Sequence, residues 1–304
     1  MSATEPAILG TVEPEERRDR TEPISDRTFP GPGIRRLGRW ALNAWAIFGF
    51  IFLFAPIFVI VLFSFNRPKG NFNLVWQEFT LDNWADPFAV EGLVNALEES
   101  LKIAAVATVV AVILGSLMAL ALTRYRFRGG ALVNLFLVLP LTTPEVVLGA
   151  ALASLFLDQS VDRGFTTVMI AHVMFCVSFV ALTVKARLRG FDWTLEDAAM
   201  DLGAGPMRVF RTVTFPLMVP GILAAALLSF ALSLDDFIIT QFNAGPGPKA
   251  IVTFPVYVFG AAQRAFPPQI NVLTTMILVV SIALLALGTA FQGVREDRRT
   301  RSDA

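Results

Sequence analysis

Six apolar runs separated by polar segments set the pattern of the chain, at about 42–65, 99–122, 132–157, 166–184, 217–239 and 270–291. A helix rises about 1.5 Å per residue, so about 20 apolar residues cross the ~30 Å hydrocarbon core of a bilayer. The pattern predicts an all-α membrane protein with six transmembrane helices. The third run holds Pro140 and Pro144 and is predicted to be kinked or broken. Broken helices in lipid are tolerated where freed backbone groups face protein or water, so this run is expected to line a pathway.

The polar segments set the orientation. Nineteen of the 25 Lys and Arg residues fall in alternate segments, the two termini and the connections at 123–131 and 185–216. Lys and Arg accumulate on the cytoplasmic side, so both termini and these connections are placed there. Residues 1–38 are polar and proline-bearing, with Glu13 to Arg20 nearly all charged, which predicts a disordered tail. An apolar h-region is missing from the first 30 or so residues, so this tail is not a secretory signal. The expected organisation is a tail over 1–38, a membrane domain over 39–294 and a short cytoplasmic tail over 295–304. The outer segment 66–98 carries Trp76 and Trp84, which suit the membrane interface; a short helix facing a soluble partner is the alternative.

Composition agrees with a membrane protein. Hydrophobic residues make up 55% and charged residues 16%, against about 25% charged in soluble domains. The net charge is zero, so bulk charge identifies no partner, and no nucleic-acid partner is expected. One Cys and one His cannot build the usual zinc site, so no metal site is predicted. Cys176 lies in an apolar run and reads as a small buried side chain. His172, also in an apolar run, reads as a packed polar residue rather than a ligand or relay. The chain lacks a Gly-x-x-x-x-Gly-Lys-Ser/Thr phosphate loop, so energy must come from another subunit or an ion gradient.

Between the fourth and fifth runs lies Leu195–Pro220, too polar for lipid yet regularly punctuated. Thr194 is placed to cap a helix, with Asp197 in the capping-box position. Glu196 and Asp197 fall in its first turn, where carboxylates complement the helix dipole. Gly203 is placed to end that helix, Pro206 to open a second, and Pro216 to stop it. Asp197, Ala198, Ala199, Gly203, Val213, Phe215 and Pro216 also stand at the spacings of a signature, Glu-Ala-Ala, three residues, Gly, nine residues, Ile, one residue, Leu-Pro. Asp, Val and Phe replace Glu, Ile and Leu at 197, 213 and 215. On these residues the chain resembles the membrane-spanning permease of type I ABC importers, with a family core of about 95–290 and an ATPase-coupling loop at 194–216.

Glu145, just after Pro144, and Asp235 and Asp236 fall well inside apolar runs. A carboxylate in a bilayer costs about 2.5–3.5 kcal/mol even on lenient scales, so such groups face a cavity or a partner. They are candidates to line a cation pathway. A structural bond to a neighbouring helix competes for Glu145, and an interfacial position or a pair fixing the next turn competes for Asp235 and Asp236. Asn243 to Pro248 reads as a Gly- and Pro-forced connector.

The resemblance narrows near the C-terminus. Ser233-Leu234-Asp235-Asp236, Gly245-Pro246-Gly247 and Pro267-Pro268-Gln269-Ile270-Asn271 are similar to motifs of the second permease of spermidine/putrescine importers. Gln269 replaces a Glu of that pattern. The resemblance implies a second similar permease, two ATPase subunits that bind ATP and Mg, an extracytoplasmic solute-binding protein, and a bacterial inner membrane. It implies no cofactor and no catalytic residue in this chain. It also implies Glu196, Asp197, Ala198, Ala199, Gly203 and Pro216 as the coupling loop. Another small solute (amino acid-like, metal or anion) is the alternative cargo. A gradient-driven secondary transporter is the alternative class, but it often shows inverted repeats, and none is evident. An intramembrane enzyme would need convergent nucleophile and base residues, which one His and one Cys supply poorly.

Overall fold

The computed structural model describes residues 32–125, 127–247, 250–283 and Ala286. They are helical, without strands; two isolated bridges join Asn66 to Phe79 and Phe72 to Phe266. The chain forms two units, with the boundary after Ile57 inside the first helix, α1 (Pro32–Phe63). α1 begins ahead of the expected tail boundary, so 32–38 are helical. The expected tails at 1–31 and 295–304 lie outside the described residues. From Trp40, α1 is apolar all round, and Trp45, Phe48, Phe52 and Phe54 stand exposed. Such a helix is suited to lipid or to a partner chain.

In the second unit the core is a packed trio: α3 (Glu91–Arg124), α6 (Phe165–Leu188) and α9 (Phe215–Asp235). α3 meets its neighbours through Ala104, Ala107, Ala111, Gly115 and Ala119, all buried. Small residues at three- and four-residue spacing let helix backbones approach closely where lipid removes the hydrophobic drive for association. A Cβ on Gly115 would lie 2.7 Å from Val180 Cγ1 on α6. Gly115→Leu is therefore expected to destabilise the trio by about 1–3 kcal/mol. The check is the thermal midpoint in detergent, with exposed Ile113→Leu as a control that stays near native.

Among the described residues, four helical stretches are long and apolar enough to cross a membrane: Trp40–Phe63, Glu91–Arg124, Phe165–Leu188 and Pro206–Asp235. The third expected span is two helices, α4 (Gly130–Thr142) and α5 (Glu145–Asp158), bent by 111°. Pro140 is accommodated inside α4, and the break falls at Thr143 and Pro144. Residues before proline avoid helical geometry, and Thr143 is extended, with ψ 131°. At the expected sixth span lies an apolar helix over Pro268–Ala283, shorter than a membrane crossing; the rest of that run, Ala286 apart, lies outside the described residues.

The outer segment does contain a short helix, α2 (Asp82–Ala85). Its body is a knot of buried amides. Asn66 Nδ2 donates to Asn73 Oδ1 at 2.6 Å and to the Val75 carbonyl at 2.9 Å. Asn73 Nδ2 donates to the Phe63 carbonyl at 2.8 Å, and Asn83 Nδ2 to those of Ser64 and Asn66. The two bonds from Asn83 satisfy the Ser64 and Asn66 carbonyls, just past the end of α1.

Candidate functional site

The Leu195–Pro220 stretch folds as two short helices, α7 (Thr194–Asp201) and α8 (Pro206–Val209). Thr194 does not cap α7. Asp192 stands before the helix, and its carboxylate accepts from the Thr194 N–H at 3.0 Å and the Thr194 hydroxyl at 2.7 Å. This local turn takes the hydroxyl that the expected capping box needed. The Thr194 hydroxyl, then its N–H, hold the Asp192 carboxyl below the usual carboxylate range.

Gly203 ends α7 with φ +82°. Its N–H donates to the Met200 carbonyl at 2.8 Å, and the Ala204 N–H to that of Ala199 at 3.1 Å. This paired closure needs a left-handed residue, which glycine supplies without strain. Pro206 opens α8 as expected. Pro216 does not end the second helix. A π turn at Phe210–Thr214 precedes it, and the Phe215 N–H donates to the Phe210 carbonyl. The widened turn carries the chain into α9, whose first turn accepts a proline with no N–H to lose.

The two adjacent acids in the first turn of α7 part company. Asp197 is exposed, as is Ala198, while Ala199 is half-buried. Glu196 is 2% exposed and turned inward. One carboxylate oxygen pairs with Arg124, the last residue of α3, and the other accepts from the Thr214 hydroxyl. The Arg124 guanidinium lies 5.8 Å from the Trp193 ring centre. Thr123, Arg124, Trp193, Glu196 and Asp197 border a cavity of about 250 Å³. On the same loop the apolar side chains of Leu195, Met200, Leu202 and Met207 are exposed.

The other candidate residues lie at the far end of α9. Asp235 closes that helix, and Asp236 is extended, with ψ 123°. Asp236 is buried and caps α10 (Ile238–Asn243). Its carboxylate accepts from the N–H groups of Ile239 and Thr240 and from the Thr240 hydroxyl, at 3.2, 2.8 and 2.9 Å. His172 on α6 completes the cluster. Its Nε2 lies 2.9 Å from Thr240 Oγ1 and 3.3 Å from Asp236 Oδ2, and its Nδ1 lies 2.7 Å from Ser233 Oγ. His172 is thus the packed polar residue expected, and also the hub joining α6, α9 and α10.

Asp235 points elsewhere. It is exposed and lines a cavity of about 550 Å³ with Phe237, Phe259, Asn271 and Thr274, where the Phe237 and Phe259 rings stand 4.7 Å apart. Glu145 opens α5 and is exposed. Beyond α10, Gly245 adopts φ +86°, and a Cβ there would lie 2.2 Å from the Arg163 carbonyl oxygen. The connector is a tight turn, as its composition implied. Among the described residues no group of His, Cys, Asp and Glu is placed to hold a metal.

A family model described as binding-protein-dependent transport system inner membrane component matches residues 111–301. The putrescine transport system permease protein PotI of Escherichia coli (strain K12) is 39% identical over 239 residues, 76% of this chain and 83% of that protein. The spermidine/putrescine transport system permease protein PotC of Haemophilus influenzae is 35% identical over 245 residues, 81% and 93% of the two chains. Two solved structures share the fold. A bacterial ABC transporter involved in the import of the acidic polysaccharide alginate matches with TM-score 0.61 at 14% identity, over 86% of this chain and 98% of that one. An amino acid ABC transporter matches with TM-score 0.52 at 18% identity, over 69% and 95%. The chain belongs to the inner-membrane components of binding-protein-dependent transport systems, the permease subunits of ABC importers.

Proposed function

We propose that this permease carries polyamines, putrescine and spermidine, across a bacterial inner membrane. The observation that carries the reading is the 39% identity to a putrescine permease over most of both chains. The cavity at Asp235 suits such a cargo: one carboxylate for an ammonium group, and aromatic and aliphatic walls for methylene segments. Asp235 is the principal lining residue, with Glu145 as a second acidic candidate. Asp236 serves by holding the turn that presents Asp235.

In the assembly, the chain pairs with a second similar permease, two ATPases that bind ATP and Mg, and an extracytoplasmic binding protein. Both termini lie in the cytoplasm, following the distribution of Lys and Arg. The coupling loop docks on an ATPase through α7, using Asp197, Ala198 and the exposed Leu195, Met200 and Leu202. Exposed apolar patches of this kind mark protein contacts. ATP-driven closure of the ATPases moves the loop, and the spans change access by rigid-body motion.

The test is uptake of labelled putrescine and spermidine in cells deleted for this gene and for any other polyamine importer. A plasmid copy is expected to restore uptake. Failure to restore it, with the complex assembled, assigns the permease to another solute.

A further inference from the structure

We propose that Glu196 is a positioning residue, the clamp that makes α7 move as one body with the inner ends of α3 and α9. This rests on the reading of the loop as the ATPase-docking element.

The backbone alone is a poor lever. α7 is joined to α6 through a connection that includes Gly190, and to α8 through Gly203 and Gly205. Glycines leave the chain its widest choice of conformations, so force applied to α7 is free to dissipate at either end. A side-chain route is stiffer. Among the described residues, the other side-chain hydrogen bond of α7 is local, from Thr194 to Asp192. Among the described residues of α7, Glu196 alone makes a side-chain hydrogen bond or ion pair to another element. Its Oε2 pairs with Arg124 at the end of α3, and its Oε1 accepts from Thr214 in the π turn that leads into α9.

Burial makes the clamp rigid. The Glu196 side chain is 3% exposed, and Thr214 is fully buried. A buried carboxylate cannot leave its partners without stranding its charge away from water. Arg124 is held in turn, with its guanidinium 5.8 Å from the Trp193 ring centre and 6.0 Å from that of Tyr125. The clamp thus ties the docking helix to two of the three helices of the core. Asp197, one residue on, faces out. The two neighbouring acids divide the task, one toward the partner and one toward the core.

The test uses the full complex in lipid vesicles, with spin labels at exposed Thr194 on α7, outside the docking residues, and exposed Leu117 on α3. With ATP trapped by vanadate and no substrate present, the distance in the otherwise native chain is expected to stay within about 2 Å of its nucleotide-free value. In Glu196→Ala it is expected to shift or broaden on trapping. In the unlabelled complex, the same change is expected to lower substrate moved per ATP hydrolysed by about tenfold, while hydrolysis continues. Arg124→Lys, which keeps the charge, recovers part of the coupling. If Glu196→Ala does not assemble, the near-isosteric Glu196→Gln is read by the same measurements. A native distance that changes by several ångströms on trapping, or a native transport ratio in the variant, overturns the clamp. The distance is read without substrate, so a failed polyamine assignment leaves this test intact.

Discussion

Gly203→Asp is expected to leave the permease in the membrane in near-native amount and to cut uptake at least tenfold. The position tolerates a side chain sterically, since a Cβ there meets nothing within 4 Å. The penalty comes from the backbone. At φ +82° an L-residue is strained by about 1–2 kcal/mol, and the Gly203 and Ala204 N–H bonds that close α7 depend on that conformation. Loss of the turn re-aims α7 relative to α8. Charge adds to the effect, because the new carboxylate joins Asp197 and Asp201 on the exposed docking surface. A 1.4 kcal/mol change in the docked population is already a factor of about ten. Gly203→Asn isolates the charge, since Asn and Asp tolerate the left-handed region alike and Asn is neutral. It is expected to retain most uptake, whereas Gly203→Val, uncharged but β-branched, falls with Asp. Uptake normalised to immunoblotted membrane protein decides the matter, and native uptake in Gly203→Asp removes the docking model.

The loop was legible because glycine and proline act locally. Gly203 and Pro206 do what their backbone preferences dictate, whatever surrounds them. Pro216 shows the limit of that logic. A proline ends a helix only if the clash with the preceding turn is not relieved, and the π turn before it provides the relief. Glu196 and Asp197 show a second limit. Adjacent acids in one helix turn carry no mark of which faces inward, and Arg124, which decides it, lies at the end of a helix far earlier in the chain. The apolar runs located the central parts of the membrane helices, because apolar length is set by bilayer thickness, but not their ends: Glu91–Arg124 and Pro206–Asp235 begin well before the expected runs. Pro144 marked the place of the break in the third span, but its 111° angle depends on packing against α6 and α10, which sequence spacing does not encode.

The same limit separates Asp235 from Asp236. As a pair in an apolar run, both are candidates for the pathway, and neutralising the two together is expected from sequence to lower cation uptake while assembly persists. The structure divides that expectation. Asp236→Ala removes the acceptor for two N–H groups and the Thr240 hydroxyl, and leaves His172 facing a void. Each buried donor left without a partner costs about 1–3 kcal/mol, so the variant is expected to lose most of its folded protein. The double variant fails for the same reason. Asp235→Asn touches none of these bonds and keeps the side-chain volume at the cavity wall. It is expected to accumulate normally, keep its thermal midpoint and transport putrescine and spermidine with KM raised about tenfold, the loss of one charge-assisted contact worth about 1.5–3 kcal/mol. Thermal midpoints in detergent and uptake kinetics in vesicles separate the two roles. A stable Asp236→Ala would show that the His172 cluster does not support the turn, and unchanged kinetics in Asp235→Asn would move the cation path away from this cavity.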